Sequence, residues 1–205
     1  KSAKGEVMLE KKQDAWQISG TDGFIADGEA VQNALETVAG FKRENVASKN
    51  PEKQDLFEVT PAKGVEVKVF DAAGKVLAQF YIGKTGPDFF SNYVRKEGSD
   101  EVIRVAAVTS TFDKPMESWR DKTIFNFPSD MVTRLTLKTA GAEIALEKND
   151  ENEWYLIKPE QAKAKQEAVN NAINTLATLS ALGFAPDDDA AKYEIDKPQL
   201  TVAVI

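Results

Sequence analysis

Apolar and polar residues alternate along Glu6 to Ser19, with Val7 and Leu9 on one arm and Trp16 and Ile18 on the other. A Lys-Gln-Asp turn at 12–14 separates the arms, so the stretch predicts a β-hairpin. The period then changes. Apolar residues recur at 31, 34, 35, 38 and 41, the stripe of an amphipathic helix, with Asp27 placed to cap its first turn. A polar connector, Glu44 to Asp55, leads into a run of short strands: Phe57 to Thr60, Val65 to Phe70, Val76 to Ile82, Tyr93 to Arg95 and Val102 to Val108. Asp71 to Gly74 and Glu97 to Asp100 supply turns, and Lys84 to Ser91 reads as a loop. Pro115 to Lys122 predicts a short helix with Trp119 facing inward.

The pattern then recurs. Glu10-Lys11, Trp16, Val31, Ala34, Leu35, Val38 and Phe41 reappear as Glu147-Lys148, Trp154, Val169, Ala172, Ile173, Leu176 and Leu179. The offset is 137 at the glutamates and 138 from the tryptophans onward, and the extra residue falls in a polar turn. Insertion in a turn with the flanking pattern kept in phase is how a duplicated unit drifts. The second series opens with strand Val132 to Leu137, turns at Ala140-Gly141, and runs through Glu143 to Lys148 and Trp154 to Ile157. A helix over Lys165 to Leu182 follows, with Gly183 as its expected C-terminal cap. Phe184-Ala185, Tyr193-Glu194-Ile195 and Leu200, Val202, Val204 then correspond to Val46-Ala47, Phe57-Glu58-Val59 and Val65, Val67, Val69.

The expected fold is α+β, a duplicated unit of β-hairpin, amphipathic helix and antiparallel β-meander with the second copy incomplete. The units span 1–128 and 129–205. A counterpart of Val132 to Leu137 would precede Lys1, and counterparts of Val76 to Val108 would follow Ile205, so the chain reads as a slice of a longer protein. Each Trp should pack on its own helix, Trp16 against Leu35 and Val38, Trp154 against Ile173 and Leu176. The final strand should leave an unpaired sheet edge.

Charge adds little to this picture. The net charge is −7, with 18 basic and 20 acidic residues up to Pro128 and 8 and 13 beyond it. No basic stripe suits a nucleic acid. Cys and His are absent, which removes thiolate nucleophiles, Cys-based zinc and iron–sulfur sites, the Ser-His-Asp triad and imidazole acid–base chemistry. The chain is therefore expected to be non-enzymatic, with no cofactor, catalytic or transition-metal site.

Remaining candidates are few. Gly83-Lys84-Thr85 lacks the earlier Gly of a phosphate loop (position 78 is Ala) and reads as the end of a strand. Asn149 to Glu153 and Asp187 to Asp189 offer oxygen ligands but not the spacing of a calcium loop, and read as solvated turns. Glu10 and Glu147 beside Lys11 and Lys148 read as cross-strand ion pairs. Tyr81, Phe89, Phe90 and Tyr93 cluster around one connector. Adjacent Phe89 and Phe90 either plug the core, the commoner fate of loop aromatics, or form a partner-binding tip. They are the one candidate contact site.

With the segments placed, the sequence resembles the bacterial domain of unknown function family DUF4340. The resemblance rests on the Trp-containing hairpin and helix, twice over, and on Ile82-Gly83-Lys84, Tyr93-Val94-Arg95, Trp119-Arg120-Asp121-Lys122 and Tyr193-Glu194-Ile195-Asp196-Lys197-Pro198. The family's usual Gly after that Tyr is Glu194 here. The resemblance implies an extracytoplasmic domain behind an N-terminal membrane anchor, accessory to an ABC-type transporter or another envelope complex, including systems linked to gliding motility. Its expected partner is an envelope or transporter protein. It carries over no catalytic residue. Two other readings stay open, a carboxylate-dependent envelope hydrolase and a small-ligand or glycan binder.

Overall fold

The computed structural model describes residues 1–42, 45–106, 108–185 and 191–205. It is a mixed α+β protein with antiparallel sheets, divided into two compact units, Lys1–Asp121 and Lys122–Ile205.

In the first unit β1 (Leu9–Lys12) and β2 (Ala15–Ile18) form a two-stranded sheet with Lys11 opposite Trp16. Gln13 takes the left-handed conformation that so tight a turn requires (φ 53°). Helix α1 (Gly28–Ala39) starts where Asp27 Oδ1 accepts the Ala30 N–H at 2.9 Å, and it buries Val31 and Ala34. The strands β3 (Asn45–Ser48), β4 (Val65–Phe70), β5 (Val76–Thr85), β6 (Ser91–Lys96) and β7 (Val102–Ala106) make a second sheet in the order β3-β7-β6-β5-β4. Helix α2 (Thr109–Phe112) and a 3-10 turn at Met116–Trp119 close the unit, and Trp119 is buried with Ile18, Val31 and Ala34.

Three sequence expectations change here. The polar connector contains β3, because Val46 finds a ladder partner in Ile103. Phe57 to Thr60 is not a strand: Glu58 has a left-handed φ of 60° and the Val59 N–H turns back to the Gln54 carbonyl at 3.1 Å. That coil drops Val59 to full burial beside Tyr81 and Val102. The Pro115 to Lys122 segment shortens to a single 3-10 turn.

The second unit contains β8 (Arg134–Lys138), β9 (Glu143–Lys148), β10 (Trp154–Lys158), β11 (Ala162–Lys163), α3 (Gln166–Ala177) and β12 (Thr201–Val204). Its sheet runs β11-β10-β9-β8-β12, so β8 lies inside the sheet, between β9 and the edge strand β12. Leu135 of β8, Leu146 of β9, Trp154 of β10 and Val169 and Ile173 of α3 form the core, with Leu176 packed against it. The Trp154 indole N–H donates to Asn170 Oδ1 at 3.0 Å, which satisfies the polar end of a ring 1% exposed.

Helix α3 ends at Ala177, not near Leu182, and Gly183 is not its cap; Thr178 is. The Leu179 carbonyl accepts N–H groups of Ile124 and Phe125 (2.8 and 3.1 Å), and the Ala181 N–H donates to the Lys122 carbonyl at 2.7 Å. These bonds pull 179–181 out of the helix. They also tie 122–125 to the second unit, which is why the division falls at Lys122 and not at Ser129.

Candidate functional site

The loop expected over Lys84 to Ser91 is shorter, because β5 runs through Thr85 and β6 starts at Ser91. What remains is a tight tip, Gly86-Pro87-Asp88-Phe89-Phe90. A Cβ on Gly86 would lie 2.2 Å from Ser91 Oγ, so a side chain there would push aside the hydroxyl that bonds Asp88. The Gly86 N–H donates to the Ser91 carbonyl at 2.8 Å, and the Phe89 N–H to the Gly86 carbonyl at 3.1 Å. Asp88 organises the rest: its Oδ1 accepts the Ser91 hydroxyl at 2.6 Å and the Phe90 N–H at 3.1 Å, and Oδ2 faces Arg104 at 3.8 Å. The Ser91 hydroxyl, the Phe90 N–H and Arg104 hold its carboxyl below the usual range.

The core-plug alternative fails at this tip. Phe89 and Phe90 are 82% and 81% exposed. Phe89 also adopts φ 61°, an unusual conformation for a bulky side chain that costs about 1–3 kcal/mol. The Asp88 network holds the tip in that form, so two adjacent rings stand outward from a fixed turn. Beside them lies a cleft of about 600 Å³ lined by Thr37, Phe41, Lys42, Asn45, Asp88 and Arg104.

The other aromatics of the cluster point inward. Tyr81 is buried under the Arg95 guanidinium, 4.8 Å from its ring centre, and half-buried Tyr93 packs against Phe57 at 4.6 Å. Arg95 and Asn92 were missed as key residues. Arg95 is 6% exposed and its Nε donates to the Val59 carbonyl at 2.9 Å. Asn92 Oδ1 accepts the N–H groups of Val108 and Thr109 at 2.8 and 3.1 Å. The available signal was an Arg inside an otherwise core-like strand, where a charge needs buried acceptors.

Gly83-Lys84-Thr85 lies within β5, away from any helix start. A Cβ on Gly83 would sit 2.1 Å from the Phe57 carbonyl oxygen, so this Gly lets the 57–59 coil cross the strand. Gly83 and Arg95 thus serve one structural purpose from neighbouring strands. The turn Asn149 to Glu153 is closed on itself by Asn149 Oδ1, which accepts from Glu151 and Glu153 N–H groups, while Glu153 pairs with Lys163 at 2.7 Å. Asp187 to Asp189 lie outside the described residues. Among the described residues, no three His, Cys, Asp or Glu gather where they could hold a metal ion.

The glutamates differ between the units. Glu147 pairs across strands with Arg134, whereas Glu10 faces Lys12 of its own strand at 3.8 Å. Lys148 lies over the Trp154 ring and donates to the Asp130 carbonyl, so the expected cross-strand ion pair forms at Glu147, through Arg134, and not at Glu10. Trp154 shares its cluster with Ile173 and Leu176, and half-buried Trp16 shares one with Leu35, while Val38 packs in the neighbouring cluster with Phe80.

Among the described residues, no helix is long and apolar enough to cross a membrane. No curated protein and no solved structure matches the chain. The profile of the domain of unknown function DUF4340 matches residues 16–198, taking in both Trp hairpins' second strands, both long helices and the Gly83 and Arg95 strands, and on that match the chain belongs to the DUF4340 family.

Proposed function

We propose that the chain is a non-enzymatic interaction module built from two copies of one α+β unit, working outside the cytoplasm as an accessory to an ABC-type transporter or another envelope complex. The observation that carries the contact is the tip, where Phe89 and Phe90 are each more than four-fifths exposed on a turn fixed by Asp88. Two rings held outward at a strained turn serve a surface that will cover them, and aromatics are favoured binding anchors. Compartment and transporter association rest on the family resemblance.

Local geometry supports the two-copy reading. The Ser2 N–H donates to the Gly5 carbonyl at 2.8 Å, and the Thr139 N–H to the Ala142 carbonyl at 2.9 Å, at the offset of 137 seen in the glutamates. Lys11 faces Trp16 as Lys148 faces Trp154, and α1 and α3 are each 12 residues long.

A photo-crosslinking residue placed at 89 or 90 tests the contact in living cells. The expected product is an adduct with a transporter or envelope subunit, absent when the probe replaces Leu182, which is fully exposed in the second unit. The double variant Phe89→Ser, Phe90→Ser should lose that association with its melting temperature nearly unchanged. A large fall in melting temperature, or an association that survives, would overturn the assignment. Loss of binding to soluble envelope glycans in place of a protein adduct would favour the glycan reading.

A further inference from the structure

A cleft of the first unit, about 820 Å³, lies between the hairpin strand β1 and the sheet edge β4, with Val31, Leu35 and Trp119 among the residues lining it. Among the described residues β1 pairs with β2 and β4 with β5, and beyond the Lys1–Glu66 contact no strand lies along the edge that each turns toward the cleft. The second unit shows the same pair of edges occupied. There β8 lies between β9 and β12 and runs antiparallel to both.

The registers agree residue by residue. Lys138, the last residue of β8, faces Thr201 of β12, and Lys1 sits opposite Glu66 of β4, joined by the Lys1 amine to the Glu66 carbonyl (2.8 Å) and the Glu66 N–H to the Lys1 carbonyl (2.9 Å). The next residues make the same turn in each unit, Ser2 to Gly5 and Thr139 to Ala142. Lys1 therefore stands where β8 ends. Moving back along β8, Leu137 faces Ile144 and Val202, and Leu135 faces Leu146 and Val204. The matching places in the first unit are Val7 with Val67 and Leu9 with Val69, the walls of the cleft.

We propose that this cleft is a strand site: it takes a β-strand with the alternation of β8, antiparallel to β1 and β4 and continuous with the amino end of Lys1. Its first and third residues ahead of Lys1 would be apolar and face α1, the third as Leu135 meets Val169 and Ile173 of α3 in its own unit. A strand here joins the two sheets of the first unit into one, and covers edges that would otherwise remain open to pairing. Half-buried Leu9 and Trp16 become as covered as Leu146 and Trp154, which are 7% and 1% exposed. The proposal rests on the two-copy reading and not on the aromatic tip.

The test fuses Arg-Leu-Thr-Leu, the sequence of residues 134–137, directly ahead of Lys1, and compares it with Arg-Asp-Thr-Asp at the same place. Amide exchange of β1 and β4 should slow by about tenfold or more with the first extension only, in a monomer. Acrylamide quenching of Trp16, with Trp119 and Trp154 replaced by Phe, should fall in parallel. Unchanged exchange would overturn the strand site. Protection only in a dimer, or equal protection from the free peptide at stoichiometric concentration, would overturn continuity with Lys1. The β9 and β12 amides facing β8 are the reference. If they exchange slowly and the extension does nothing, the strand site falls alone; if they exchange as fast as β1 and β4, the two-copy template falls with it.

Discussion

Two hairpins carry a Trp opposite a Lys, and only one of them hides it. Trp154 is 1% exposed, whereas Trp16 is half-buried and lines an open cleft. In both ladders Lys faces Trp and the preceding Glu faces the residue after it, although the second turn is one residue longer. The difference is the third strand: β8 lies along β9 and contributes Leu135 to the cluster around Trp154, and β1 has no such neighbour among the described residues. A two-stranded ribbon is marginal by itself, so the burial of its inner face depends on what flanks it. The hairpin motif sets where the indole points, and its neighbours set how much water it loses.

The largest effect that probes this contrast is Trp truncation. Trp154→Ala should cost about 3–5 kcal/mol, since it removes a large buried ring and leaves a cavity. Trp16→Ala should cost about 1–2 kcal/mol, because part of its surface already meets water. Urea melts followed by circular dichroism would show the gap, and equal losses would break the comparison.

Gly83→Ala comes next. Its new Cβ would collide with the Phe57 carbonyl, and relieving that overlap should cost about 1–3 kcal/mol. Sheet amides of the first unit should lose exchange protection while those of the second keep theirs. Uniform loss across both would mean that the units do not unfold separately.

Periodicity revealed the elements whose burial is one-sided. The helix stripe at 31, 34 and 35 and the alternation of Val65, Val67 and Val69 depend only on neighbours within the same element, and both appear as expected. What stayed hidden was set by distant backbone. The early end of α3 comes from the backbone bonds that Leu179 and Ala181 make to 122–125, and the coil at Phe57 to Val59 from the space that Gly83 leaves. Phe89 and Phe90 were the hardest to place, because composition favours the core and only the Gly86–Asp88 turn geometry turns both rings out. Arg95 was legible as an anomaly but not as a clamp, since its acceptors lie 36 residues away in sequence at Val59 and nearby at Ser99.

The glutamates offer a finer cut. Glu147 and Arg134 are directly opposite on β9 and β8, so a double-mutant cycle with Glu147→Gln and Arg134→Gln should return about 0.2–1 kcal/mol of coupling. Glu10 and Lys12 share one strand at 3.8 Å, and the same cycle there should return about zero. A coupling at Glu10 as large as that at Glu147 would show that the third strand is not what makes the pair.

The smallest effect is a titration, and it reads the cleft directly. The Lys1 amine stands at the end of the cleft, where it donates to the Glu66 carbonyl at 2.8 Å. Partial burial lowers the Lys1 amine below its ordinary value near 8, with Glu6 and Glu66 pulling the other way. The folded chain then holds this proton less tightly than the unfolded chain. Between the lowered value and the ordinary one the unfolded state carries more protons, so stability rises with pH across that window and is level above it. Acetylating the amine should erase the slope, as should a peptide bond to a preceding residue. Denaturant melts between pH 6 and 9, with and without acetylation, would show it. An amine titrating above its ordinary value would mean that the two glutamates outweigh burial at this end of the cleft.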